Sequence, residues 1–306
     1  MVGKSKIIII AGPTATGKTA VAVEVALALG GEVVGADSMQ VYRGLVIGAA
    51  SPTLEQMRGV PHHLIGVIAP SEHFTTWDWL ARAETIIADI SSRGKVAIVA
   101  GGAGLYIRSL LHGMFDAPYG DPELRKRIRA RSESENLHET LRRVDPASAS
   151  RIHPNDEYRI VRALEVFEQT ARPLSEQQRE WSAPERYEAI KIALDLPREE
   201  LHLRINRRAE LMIENGLVDE VRGLKELGLS RDMRPMRHFG YRHIWACIEG
   251  EISLEEALSL MQRDTRRYAR RQLTWFRAEP GMTWLHPEKD LTRITEMVRS
   301  SGGTTP

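Results

Sequence analysis

The run Gly12, Pro13, Thr14, Ala15, Thr16, Gly17, Lys18, Thr19 constrains this chain more than any other. A β-branched apolar stretch, Lys6 to Ala11, precedes it, and an Ala/Val/Leu-rich stretch, Lys18 to Leu29, follows and closes at Gly30-Gly31. Strand, glycine-rich turn and helix in that order bring backbone N–H groups together at a helix N-terminus, which is a cradle for phosphate oxygens. The pattern G-x-x-x-x-G-K-[ST] adds a fixed cation in Lys18 and, in Thr19, a hydroxyl for Mg²⁺. It specifies a diphosphate and leaves open whether that diphosphate belongs to a nucleotide such as ATP.

The pattern around the loop predicts an α/β fold. Glu32 to Ala36 reads as a second strand, Thr75 to Arg93 as a helix with a Thr75-x-x-Asp78 capping box, and Lys95 to Ala100 as a third strand running into Gly101-Gly102-Ala103-Gly104 and another helix. Strands alternating with helices imply a parallel sheet. From Asp121 to Trp181 the sequence is charged and helix-favouring, with caps at Asp121-Pro122, Pro146 and Asn155-Asp156 and no strand pattern. Ile190 to Leu196 resumes as a strand, followed by helices from Pro197 to Asn215, Leu217 to Leu227, Gly240 to Glu249 and Ser253 to Phe276, an edge strand Met282 to His286, and a polar tail Ser300 to Pro306. The expected architecture is a P-loop core, a parallel sheet flanked by helices, built from residues 1–118 and 190–306, with an inserted all-helical domain at 119–189.

At 306 residues, 42% apolar and 27% charged, the chain has enough apolar sequence for a packed core. The single cysteine, Cys247, excludes an intramolecular disulfide and a Cys-rich zinc site. The apolar run at the start, Ile7 to Ala11, is too short for a signal peptide or a membrane span, so the expected location is the cytoplasm, with no membrane partner and a monomeric state. Net charge is only +1, from 42 basic and 41 acidic residues, yet Arg263 to Arg277 holds six arginines against Asp264. Arg263, Arg266, Arg267, Arg270 and Arg271 fall on one helical stripe roughly 140° wide, which suits either a phosphate track or a solvated face.

Two further features bear on chemistry. A nucleotide hydrolase of this type needs an acid at the end of a buried strand, and Val96 to Ala100 ends in glycines. The acid at a core strand's C-terminal end is instead Asp37, at the rim where α/β sheets bind ligands, placed for a metal, for a substrate, or as a turn carboxylate. His62-His63 point to opposite faces of a strand and lack a third ligand, which argues against a metal.

Taken together, GPTATGKT at Gly12 to Thr19, DSMQVYRG at Asp37 to Gly44 with Ile47-Gly48, PHHLI at Pro61 to Ile65, GGAGLY at Gly101 to Tyr106, DEYRIVRALEV at Asp156 to Val166, Gly240-Tyr241, and ARRQLTWFR at Ala269 to Arg277 resemble the tRNA dimethylallyltransferase family over roughly residues 6–285. The resemblance implies transfer of a dimethylallyl group from dimethylallyl diphosphate to the exocyclic N6 of an adenine beside the anticodon. In that role the loop, Lys18, Thr19 and Mg²⁺ serve the leaving diphosphate, and Asp37 takes the amine proton. The adenine has to be flipped out of the tRNA anticodon loop. The implied RNA-facing residues are Asp37, Ser38, Met39, Gln40, Ala103, Tyr158, Arg159, Ile160, Val161, Arg162, Arg237, Gly240, Tyr241 and Arg242. This chain differs from the family pattern in Ala103, where a threonine is usual, in Gly48-Ala49-Ala50-Ser51-Pro52, which lacks the usual threonine and lysine, and in Tyr158, where glutamine is usual. The competing readings are an ATP-dependent small-molecule kinase, a prenyltransferase for free adenine nucleotides, and a non-catalytic RNA-binding module gated by a nucleotide.

Overall fold

A computed structural model describes residues 5–114, 118, 120–180 and 184–301. The chain forms two compact units, Met1–Leu111 with Tyr187–Pro306, and His112–Arg186.

The first unit is built on six parallel strands in the order β3-β2-β4-β1-β5-β6. They are β1 (Lys6–Ala11), β2 (Glu32–Gly35), β3 (His62–His63), β4 (Ala97–Gly101), β5 (Glu188–Leu194) and β6 (Thr283–Leu285). Ile7 to Ala11 of the central β1 are all buried, as a parallel strand covered by helices on both faces requires. The first helices are α1 (Lys18–Leu29), α2 (Leu54–Met57), α3 (Thr76–Ser92) and α4 (Gly104–His112). The capping box expected ahead of α3 is present: Thr75 Oγ1 accepts from Asp78 N–H at 3.2 Å and Asp78 Oδ2 accepts from Thr75 N–H at 2.8 Å. His63 pairs with the buried Glu32 at 2.9 Å, and the His62 Nδ1 lies 2.8 Å from the Val60 carbonyl.

The second unit contains α5 (Pro122–Ala130), α6 (Leu137–Val144), α7 (Pro146–Ala149), α8 (Glu157–Thr170) and α9 (Leu174–Glu180), and no strand occurs among its described residues. Asp121, Asn136, Asp145 and Asp156 cap four of these helices through their side-chain oxygens. Its core collects Leu124, Ile128, Leu141, Ile160, Val161 and Leu164. Glu165, fully buried, accepts from Arg125 Nε at 2.9 Å, Arg162 Nη1 at 2.5 Å and the Asp121 N–H at 2.7 Å.

The chain then returns through α10 (Arg198–Glu214), α11 (Leu217–Glu226), α12 (Phe239–Ile248), α13 (Leu254–Arg277) and α14 (Leu291–Ser301). The last helix departs from expectation: the sequence pattern assigns no element to 287–299 and indicates a polar tail from Ser300, whereas α14 runs to Ser301. Leu291, Ile294 and Val298 recur there at helical spacing, and the fully buried Ile294 and Val298 complete the apolar layer against α1. Strand β5 starts and ends two residues earlier than the apolar alternation indicates, because Glu188 and Ala189 already pair with Lys6 and Ile7.

Candidate active site

The loop after β1 takes its shape from backbone geometry and four hydrogen bonds. At Gly12 a side-chain carbon would lie 2.6 Å from the Leu194 carbonyl oxygen, and Gly17 has a left-handed backbone (φ 84°), so both positions require glycine. Thr16 Oγ1 donates to the Pro13 carbonyl at 2.9 Å and Lys18 Nζ to the same oxygen at 2.7 Å. Thr14 is held twice: its N–H donates to Gln272 Oε1 at 2.8 Å, and its hydroxyl accepts from Arg208 Nη2 at 2.5 Å.

Asp37 stands just past the end of β2, where its Oδ1 accepts from Met39 N–H at 2.8 Å and Gln40 N–H at 3.4 Å. This turn leaves the second carboxylate oxygen available to a ligand. A pocket joins Thr14, Asp37, Gly48 to Ala50 and Arg208 to an apolar wall of Ile205, Ala209, Met212 and Met261, with His238 and Tyr268 at its side. Burial lowers Lys18 to about 8, opposed by the charge of Asp37 and assisted by that of Arg208. Burial likewise lowers Arg208, with Asp37 opposing. Burial, with Arg242 and Arg208 nearby, lowers His238 to about 3, so its ring is neutral at neutral pH. One carboxylate and two cations therefore share this rim of the sheet, an arrangement suited to an anionic leaving group beside a proton acceptor.

The pocket's loop is held from α11. Glu220 Oε2 accepts from Val46 N–H at 3.1 Å and Ile47 N–H at 2.7 Å, while Oε1 accepts from Gly48 N–H at 3.0 Å and the Tyr241 hydroxyl at 2.9 Å. A side chain on Gly48 would meet the Tyr241 ring at 2.5 Å, which accounts for glycine there.

Several residues expected to face RNA do otherwise. Tyr241 is fully buried and serves Glu220; Ile160 and Val161 lie in the insertion's core, so their side chains cannot reach a ligand. Arg162 is spent on Glu165 and the Pro118 carbonyl, at 2.8 Å from the latter. Gln40 Nε2 donates to the Ala50 carbonyl at 2.9 Å, and Met39 is a buried wall of the pocket. Ala103 donates its N–H to the Ala36 carbonyl at 3.0 Å and is half-buried. Ser38 is half-buried, and Gly240 lines the pocket. Tyr158 and Arg159 are exposed, at 64% and 66%, and so is Arg237. On α13, Arg263, Arg267, Arg270 and Arg271 are exposed, whereas Arg266 turns inward to Asn206 at 2.5 Å. Asp264 ties Arg263, Arg267, Arg242 and His243 together, with Arg242 Nη2 at 2.5 Å and His243 Nε2 at 3.0 Å.

Among the described residues no group of three or more His, Cys, Asp or Glu side chains is arranged to hold a metal. Thr19, in the first turn of α1, and Asp37, in the pocket, are hard oxygen groups of the kind that suits Mg²⁺, and too few to hold it without a phosphate substrate. No helix among the described residues is long and apolar enough to cross a membrane.

The family described as IPP transferase matches residues 40–279, and that described as isopentenyl transferase matches residues 5–66. The tRNA dimethylallyltransferase 1 of Trichlorobacter lovleyi is 48% identical over 294 residues, covering 94% of this chain and 96% of its own. The tRNA dimethylallyltransferase of Syntrophobacter fumaroxidans is 47% identical over 301 residues, covering 96% and 87%. The crystal structure of the full-length tRNA isopentenylpyrophosphate transferase from Bacillus halodurans superposes with a TM-score of 0.74 at 38% identity, covering 98% of this chain and 97% of that one. A eukaryotic dimethylallyltransferase acting on tRNA gives a TM-score of 0.78 at 26% identity, covering 97% and 78%. With its loop, rim carboxylate and C-terminal helices arranged as above and 240 consecutive positions inside the family match, the chain belongs to the IPP transferase family.

Proposed function

We propose that the chain is a tRNA dimethylallyltransferase. It transfers the dimethylallyl group of dimethylallyl diphosphate to N6 of an adenine beside the anticodon and releases diphosphate. The observation that carries this reading is the placement of Asp37 in one pocket with Thr14 of the phosphate loop and with Arg208.

In the reaction the N6 lone pair forms a bond to the donor's C1 as the C1–O bond breaks, and that electron pair leaves on the diphosphate oxygen. Asp37 accepts the proton that N6 sheds as it becomes positively charged. Lys18, Arg208 and the loop N–H groups face the charge that grows on the leaving group, and they do so from fixed positions. The apolar wall of Ile205, Ala209, Met212 and Met261 receives the hydrocarbon tail and keeps water from the carbocation-like carbon. Thr19 would hold Mg²⁺, which when bound would add neutralising charge to the leaving diphosphate. Exposed arginines of α13, with Arg237, Arg242 and Arg159, supply phosphate contacts.

The family match disfavours the kinase and the free-nucleotide readings. Incubation with radiolabelled dimethylallyl diphosphate and either bulk tRNA or AMP tests the proposal. Label in tRNA supports it; label in AMP, or phosphoryl transfer from ATP without prenylation, overturns it.

A further inference from the structure

We propose that Gln272 is the positioning residue of the donor cradle, a role that rests on the diphosphate reading of the loop. Its side chain is buried, at 5% exposure, on a helix whose neighbouring turns carry the exposed arginines. The amide oxygen accepts from Thr14 N–H at 2.8 Å, and Nε2 donates to the Gly102 carbonyl at 2.9 Å. Tyr268, one turn earlier on the same helix, lines the pocket. One amide thus pins the loop after β1 to the loop after β4.

The fit is tight from the other side. A carbon added at Gly102 would stand 2.1 Å from Gln272 Nε2, and one added at Gly104 would stand 2.2 Å from Trp275, the next residue but two on α13. Gly102 and Gly104, just past β4, therefore make room for this clamp and for the ring beside it.

The bond to Thr14 also sorts the loop's donors. Pro13 has no N–H, and Thr14's is committed to Gln272, so neither residue offers an anion a backbone donor, and this stretch of the loop is held in one shape. The N–H groups from Ala15 to Thr19 are then the ones aimed at the diphosphate. Donors that are already fixed need no reorganisation as charge develops, which is why a clamp on the loop's outer half affects both donor affinity and turnover.

Gln272→Met keeps the length and removes the hydrogen bonds. Calorimetry with inorganic diphosphate should show affinity falling ~10-fold or more, and kcat at saturating tRNA should fall ~10-fold to 10²-fold, the scale of a small misplacement of reacting groups. The tRNA dissociation constant should stay at the wild-type value, which also shows that the variant is folded. Gly102→Ala, which displaces the same amide from the opposite side, should reproduce this. The double variant Gln272→Ala/Gly102→Ala should be no worse than Gln272→Ala, since both act on one clamp. Wild-type diphosphate affinity and kcat in folded Gln272→Met, or fully additive losses in the double variant, would overturn the proposal. A wild-type protein that binds diphosphate yet prenylates nothing would overturn the prenyl-transfer reading instead, and the calorimetric comparison would still decide Gln272.

Discussion

Arg208 Nη2 lies 2.5 Å from Thr14 Oγ1, a contact across 194 positions of sequence that brings a guanidinium from α10 to the phosphate loop. Arg208→Leu should lower kcat/KM for dimethylallyl diphosphate by ~10² or more, the cost typical of losing one fixed donor at a developing anion. Arg208→Lys should recover only part, since an ammonium cannot reproduce the planar fork. Steady-state kinetics with the donor varied check this, and unchanged tRNA binding is expected in both variants.

Lys18 carries the pH dependence. Its ammonium titrates at about 8 in the free protein because burial opposes the charge. Diphosphate favours the charged form, so above pH 8 donor binding must take up a proton. Log kcat/KM for the donor should fall with a slope of about −1 as pH rises past that point. For folding the sign is opposite to that of a salt-bridged lysine: the lowered value means that the buried charge costs stability below about pH 8 and that this cost is relieved as pH rises toward 10.5. Lys18→Met should therefore melt at a higher temperature than wild type at pH 7 while turning over far more slowly, which calorimetry and an activity assay read independently.

Asp37→Asn keeps the turn to Met39 but removes the proton acceptor. Turnover should fall ~10²-fold to 10⁴-fold with little change in either substrate's affinity. Were Asp37 a metal ligand instead, the loss would appear in diphosphate affinity and be partly regained at high Mg²⁺; one Mg²⁺ titration separates the two roles.

The arginines divide into two groups. Charge reversal at Arg267 and Arg270 should weaken tRNA binding and lower the salt slope by about 1 for each lost phosphate contact. Arg266→Glu should instead destabilise the fold by breaking its contact with Asn206. In the insertion, Arg159→Glu should act on RNA, whereas Arg162→Ala should act on stability because it strips a partner from the buried Glu165. Filter binding at several salt concentrations, with thermal melts alongside, distinguishes the groups.

The elements most legible in the sequence were those with local causes. The phosphate loop, the capping box at Thr75 and the caps at Asp121 and Asp156 each depend on residues within a few positions. Asp37 could be placed because strand β2 points to it. Glu220, Gln272 and Arg208 could not, since each works through a partner more than 170 positions away. Arg208 leaves a trace, standing among Ile205, Ala209 and Met212 on what is otherwise the apolar face of α10, and Gln272 leaves another as a polar residue within ARRQLTWFR. Ile160, Val161, Arg162 and Tyr241 turn their side chains to partners within the protein. They sit inside motifs that mark the family, and such motifs contain the residues that build the scaffold as well as those that meet the substrate.

The bond from Thr14 to Gln272 spans 258 positions, and β1 gains its β5 neighbour only when residues beyond 187 exist. Synthesis proceeds from the N-terminus, so a chain still on the ribosome carries the complete phosphate-loop sequence long before it carries the helix that sets the loop's shape. The emerging polypeptide therefore holds an unclamped loop through most of its translation, and the capacity to grip a diphosphate arrives late, with α13.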